Sequence, residues 1–132
     1  MSERVNELTV SYYRCNHSGE FLDTFYDLFL STPAIALMFA NTDLKIQKLM
    51  LRQSLLEMIC FDLGIEGTRE EIERLGRRHK ELGIMPEMYT LWLDALCEAI
   101  GKHDECYTPE LGQLWRNAML KSIETMLAVD AD

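Results

Sequence analysis

Residues 74–96 read RLGRRHKELGIMPEMYTLWLDAL, and this stretch decides the fold. Gly83 falls where a helix stops, and Pro86 falls where the next one starts. Proline tolerates the first helical position because its missing N–H does no damage there, and glycine suits the residue just past a helix end. Upstream, Ile72, Leu75, position 79 and Leu82 recur at i, i+3, i+7 and i+10, the spacing of one buried face. Position 79 is His79, aimed at that face, while Arg77, Arg78 and Lys80 point elsewhere. The segment 42–63 repeats the pattern with Leu44, Gln47, Leu51, Leu55 and Met58. Two helices thus each place one polar group in an apolar stripe, and burying an imidazole or an amide is costly unless something satisfies it. Spacing alone leaves two readings open for each: a core side chain bonded to backbone, or a group aimed at a ligand.

Working outward, Thr32-Pro33, Met85-Pro86 and Thr108-Pro109 mark three helix starts, with Thr108 a natural N-cap. Thr68-Arg-Glu-Glu71 has the pattern of a capping box, and Gly64, Gly67, Gly83 and Gly101 fall where helices should stop. No run alternates with period two, and no Asn-Gly or Asp-Gly hairpin signal appears. The predicted helices are 3–15, 19–31, 33–39, 42–63, 69–82, 86–104 and 109–129, an all-α chain forming one domain over 1–132. At 48% hydrophobic and 27% charged, the composition is that of a chain able to form a core. The net charge of −9 argues against binding to nucleic acid or to an anionic membrane, both of which need a basic surface. No apolar stretch reaches the ~18 residues of a membrane span, and charges occupy the place of a signal-peptide core, so the cytoplasm is expected.

Other chemistry lacks its signature. The four cysteines (Cys15, Cys60, Cys97, Cys106) show no CxxC and no CxxCH, and read as reduced thiols, most of them filling the core at helical positions. There is no HExxH, and no histidine has a glutamate three positions before it, so the di-iron helix motif is missing. Neither GxGxxG nor GxxxxGK[ST] occurs among the glycines. His17 reads as solvated in a turn, and His103 as a charge favouring a helix C-terminus.

Taken together, residues 25–51 (FYDLFLSTPAIALMFANTDLKIQKLML) and 74–96 resemble the globin family, specifically the bacterial single-domain haemoglobins. The resemblance rests on Tyr26 on the second helix, Phe39 at a corner, Gln47 on the long helix, and His79 followed ten residues later by Tyr89. It implies a globin-like fold of six to seven helices around a non-covalent haem b, with His79 as the iron ligand. Phe39, Gln47, Lys48, Leu51, Leu55, Leu75, Ile84, Tyr89, Leu93 and Met126 would then contact the cofactor. Burying a few hundred Å² of porphyrin at about 25 cal/mol per Å² gives on the order of ten kcal/mol, before binding entropy is subtracted.

The implied ligands are diatomic gases, namely O2, NO and CO. Tyr26 and Gln47 would donate to a bound ligand that gains negative charge, each bond worth roughly 1.5–3 kcal/mol. Tyr89 and Asp130 would complete the shell behind His79, although related proteins use a glutamate where Asp130 stands. Lys45, Lys48 and Arg52, at i, i+3 and i+7, form a basic strip suited to the haem propionates or simply a solvated helix face. The readings that follow are reversible gas binding, NO dioxygenation with electrons from a separate reductase, and a haem-free sensing or interaction module.

Overall fold

The computed structural model describes residues 3–129, with side chains from Glu7 onward, as seven α-helices. They are α1 (Glu3–Cys15), α2 (Phe21–Phe29), α3 (Pro33–Met38), α4 (Leu44–Asp62), α5 (Thr68–Glu81), α6 (Pro86–His103) and α7 (Pro109–Ala128). Among the described residues there is no strand, and no helix is long and apolar enough to cross a membrane. The fold is all-α, as the sequence predicts.

Local chemistry sets most of the boundaries. Pro33, Pro86 and Pro109 each stand at a helix start, and the Thr108 hydroxyl accepts the Leu111 N–H at 3.1 Å. The Asp43 carboxylate accepts the N–H groups of Lys45 and Ile46, so α4 begins after Asp43 and not at 42. Two of the expected signals work differently. Gly67, not Thr68, is the N-cap of α5, and the Thr68 hydroxyl donates to the Ile65 carbonyl instead. Gly101 lies inside α6, which runs on to His103.

The core is built around α7, which packs against α4, α5 and α6, while α2 lies on α6. Fully buried Trp115 of α7 donates from Nε1 to Ser11 Oγ at 2.8 Å. Ser11 donates in turn to Asp104 Oδ2 at 2.5 Å, and Arg14 grips the same carboxylate through Nε and a second nitrogen. This chain of bonds fixes α1 to the α6–α7 turn. Burial works against the Asp104 charge, but donors from Arg14, Ser11 and the Cys106 backbone outweigh it and hold the carboxyl below its usual range.

The α5–α7 contact is a close helix approach that bears on the site. Gly76 is buried against Met126, where an added Cβ would lie 2.7 Å from the Met126 Cα and carbonyl oxygen. The buried face of α5 is therefore Ile72 and Gly76, with Leu75 and His79 half-buried beside them. Leu82 keeps to the His79 side expected of it but, as the C-cap residue past the helix end at Glu81, is 54% exposed.

Candidate functional site

Helix α5 ends in a way that aims His79. Gly83 adopts φ +77°, which an L side chain rarely does, and lets the chain fold back. The Gly83 N–H then donates to the Lys80 carbonyl and the Ile84 N–H to the His79 carbonyl at 2.9 Å. That paired closure is a Schellman motif, in which the residue past the glycine packs over the last helical turn. Pro86 restarts the chain as α6, and one turn later Tyr89 faces back at α5. Its hydroxyl lies 2.9 Å from His79 Nδ1. Behind α5, the Lys80 ammonium donates to the Val129 carbonyl just past α7.

His79 opens onto a cavity of about 340 Å³. Gln47, Met50, Leu51, Ser54 and Met58 line it from α4, and Leu75, Arg78 and His79 from α5. Leu82, Ile84, Met88, Tyr89 and Trp92 contribute from the α5–α6 turn and α6, and Ile123 and Met126 from α7. Tyr26, Phe29, Ile35, Met38 and Phe39 form the remaining wall. Aromatic contacts hold that wall together: Phe25 stacks on Phe29 at 5.4 Å, and Phe29 meets Phe39 edge-on at 5.9 Å. Phe39 also lies 6.2 Å from the Tyr26 ring, and Trp92 meets Phe25 edge-on.

The polar groups in this apolar setting have defined protonation. Burial pulls the His79 pKa below its ordinary value, so the imidazole is neutral at pH 7. Burial pushes the Tyr89 and Tyr26 phenols up to about 12, for Tyr26 against a smaller opposing pull from its hydrogen-bonded neighbour Gln47. Both hydroxyls therefore keep their protons. With Nδ1 engaged by Tyr89, the other His79 nitrogen, Nε2, has no hydrogen-bond partner among the described residues. When Nδ1–H donates to the Tyr89 oxygen, Nε2 presents a lone pair to the cavity.

The sequence-selected residues distribute as follows. Tyr26, Phe39, Gln47, Leu51, Leu75, His79, Ile84, Tyr89 and Met126 come together around the cavity. Leu55 and Leu93 do not line it and are core side chains, 0% and 3% exposed. Leu55 lies about 80° around α4 from Gln47, enough to turn it toward the helices behind. Lys48 is not at the cavity either: its ammonium pairs with Asp23 of α2 at 2.6 Å. Lys45 and Arg52 are exposed and also off the lining. Asp130 lies outside the described residues. His17 is exposed, and His103 bonds Thr24 through Nε2 at 2.7 Å.

Sequence reasoning missed Phe29, Ile35, Met38, Met50, Ser54, Arg78, Met88, Trp92 and Ile123 among the lining residues. Met50 and Ser54 stand three and seven residues past Gln47, so helical spacing alone could have found them. Arg78 could not be found that way, because it sits at the edge of the His79 face and reads as solvated.

No protein-family model matches the chain, and no curated protein does. A solved structure does, and it shows that this chain belongs to the globin family, with the bacterial single-domain haemoglobins. That crystal structure is of a protein from Pseudomonas aeruginosa PAO1 described as structurally highly homologous to a human hemoglobin. The two chains are 35% identical and superpose with a TM-score of 0.89, over 94% of this chain and 95% of the other.

Proposed function

We propose that the cavity holds haem b non-covalently, with His79 Nε2 as the iron's protein ligand, and that the protein reversibly binds diatomic gases. The observation that carries this reading is the 2.9 Å bond from His79 Nδ1 to Tyr89, which orients a neutral imidazole and leaves Nε2 to the cavity. Among the described residues no three His, Cys, Asp or Glu side chains are grouped to hold a metal ion. A lone imidazole is a poor site for a bare ion, which needs several protein ligands. It suits an iron that arrives with its equatorial ligands already supplied by a macrocycle. The flat apolar lining, with Leu51, Leu75, Met126 and the Phe39 ring, suits the same group.

When bound, the haem iron supplies the centre at which O2, NO or CO coordinates. The chain supplies the rest. Tyr89 orients the imidazole and, as a hydrogen-bond acceptor, raises its basicity. Tyr26 and Gln47, from α2 and α4, bring a protonated hydroxyl and an amide to the cavity as donors. Donors in a site shielded from water favour a ligand that takes on negative charge. By analogy with other globins carrying tyrosine and glutamine, this favours tight, slowly releasing oxygen binding.

The test is an absorption titration of apo-protein with haemin, in wild type beside His79→Ala. Wild type should take up one haemin per chain and show an intense Soret band, and the reduced protein should bind CO. His79→Ala should lose the band or shift it strongly, with exogenous imidazole restoring it. A wild-type protein that takes up no haemin would refute the reading and favour a haem-free module.

A further inference from the structure

Helix α4 is apolar on two sides. Its inner side, with Leu51, Leu55, Met58 and Ile59, is buried in the core. On its outer side Ile46 is 56%, Leu49 65%, Met50 57% and Leu56 41% exposed. A helix apolar all round is normally buried, and an exposed apolar patch of this kind marks a contact surface. Ile46, Leu49, Gln53, Leu56 and Cys60 follow i, i+3, i+7, i+10 and i+14, the a and d positions of a heptad, and none of them is buried. Isoleucine at a with leucine at d favours two helices side by side, and a single polar residue at a, here Gln53, fixes their register.

The flanking charges choose the orientation. Lys45 and Arg52 fall at g, and Met50 and Glu57 at e. Lys45, Arg52 and Glu57 make no ion pair within the described chain. Burial, then the like charge of Glu71, push the Glu57 carboxyl above its ordinary range against a smaller pull from Arg74, so a further cation beside it would be favourable. In a parallel pair Arg52 at g meets Glu57 of the partner subunit at e, twice by symmetry. An antiparallel pair sets g against g, where the cations repel, and leaves the Gln53 amide facing leucine.

We propose that the outer face of α4 binds a second copy of this chain in a two-fold dimer, with the two α4 helices side by side and parallel. Ile46, Leu49, Gln53 and Leu56 then each pack on the same residue of the partner subunit, and the two Gln53 amides bond each other. The stem of Lys45 at g lies over Met50 of the partner subunit, a side chain that also lines the cavity. Four side chains exposed to this degree offer on the order of 400 Å² of apolar surface. With the flanking Lys45, Arg52, Gln53 and Glu57, two copies cover about 1,200 Å² in total, the lower bound of a specific interface, so pairing is expected in the micromolar range. The net charge of −9 disfavours an anionic lipid surface as the occupant. Pairing does not require haem.

The experiment is sedimentation equilibrium of the purified full chain between about 1 and 500 µM, with and without haemin. Wild type should dimerise, and Leu49→Glu, which sets two carboxylates face to face, should raise the dissociation constant at least tenfold. Leu91→Glu, an equal charge change at a 37% exposed leucine of α6, should not. Arg52→Glu and Glu57→Arg should each weaken pairing about three- to tenfold, and the double exchange should restore it. Mild oxidation of Ile46→Cys should yield a disulfide between the two copies of position 46, located by peptide mapping, because only the parallel pair brings them together.

A wild type that stays monomeric throughout would overturn the proposal, as would a dimer that Leu49→Glu leaves intact or that Leu91→Glu weakens equally. Should Leu49→Glu lose its helical circular dichroism, the charge exchange decides, and no restoration in the double variant would overturn the pairing. A missing 46–46 link would overturn the parallel arrangement. A monomer that sediments with phosphatidylglycerol vesicles and is released by Leu49→Glu would give the face to a membrane instead.

Discussion

Replacing Gly76 with alanine sets two effects of opposite sign against each other, and the structure decides between them. Alanine in a helix interior is favoured over glycine by about 0.8–1 kcal/mol. Here its Cβ would stand 2.7 Å from backbone atoms of Met126, whereas ordinary contact begins near 3.4 Å. The obstacle is main chain, so no side-chain rotation relieves it, and α5 must move off α7. Overpacking of this kind costs about 1–3 kcal/mol and more where the backbone cannot yield. Taking the upper part of that range, the net effect is a destabilisation of about 1–2 kcal/mol. For a chain of this size that lowers Tm by roughly 4–7 °C.

The displacement has a functional consequence, since His79 stands one turn past Gly76 on the same helix. Haemin loss from Gly76→Ala should be several-fold faster than from wild type. Gly101→Ala is the control, because its Cβ would meet only the Tyr107 ring, at 3.9 Å. It should show the propensity gain alone and be more stable by about 0.5–1 kcal/mol. Urea denaturation of both apo-variants measures the two energies. A Gly76→Ala protein as stable as Gly101→Ala would refute the close α5–α7 approach and the argument built on it.

Three further outcomes are expected. Tyr26→Phe removes a buried donor from the cavity and should speed O2 dissociation by about tenfold or more, while CO, which gains less charge, changes little; stopped-flow mixing measures both. Asp104→Ala strands Arg14 and the Ser11–Trp115 pair and should cost about 2–3 kcal/mol in chemical denaturation, discounted from a fully buried pair because Arg14 is partly exposed. Since the folded Asp104 carboxyl is held below its ordinary value, its stabilisation is present above the unfolded pKa near 3.9 and lost as pH falls through the folded value. The acid-unfolding curve of Asp104→Asn should be correspondingly shallower below pH 4 than that of wild type.

Much of this molecule is legible in its sequence because it is local. The turn from His79 to Tyr89 needs only Gly83 to close one helix, Pro86 to open the next, and the helical repeat to bring Tyr89 round. Gln47 is placed with equal economy, one turn past the Asp43 cap. Helical periodicity also selects the faces, which is why nine of the residues chosen from sequence meet at one cavity.

What periodicity cannot give is the width of a face or the identity of its neighbour. Leu55 and Leu93 satisfy the same pattern as Leu51 and Tyr89, yet they sit in the core because the cavity covers only part of each apolar stripe. The cations were ambiguous for a different reason. A charged residue on a solvated face carries no signal of what it will pair with, and only the packing of α2 against α6 brings Asp23 within reach of Lys48. Gly76 reads in sequence as a weak point in a helix, and only the approach of α7 shows that the missing side chain is what lets α5 seat there. Near-neighbour geometry fixed the helices and the aim of His79; contacts between residues far apart in the chain fixed the cavity's limits and left Arg78 at its edge.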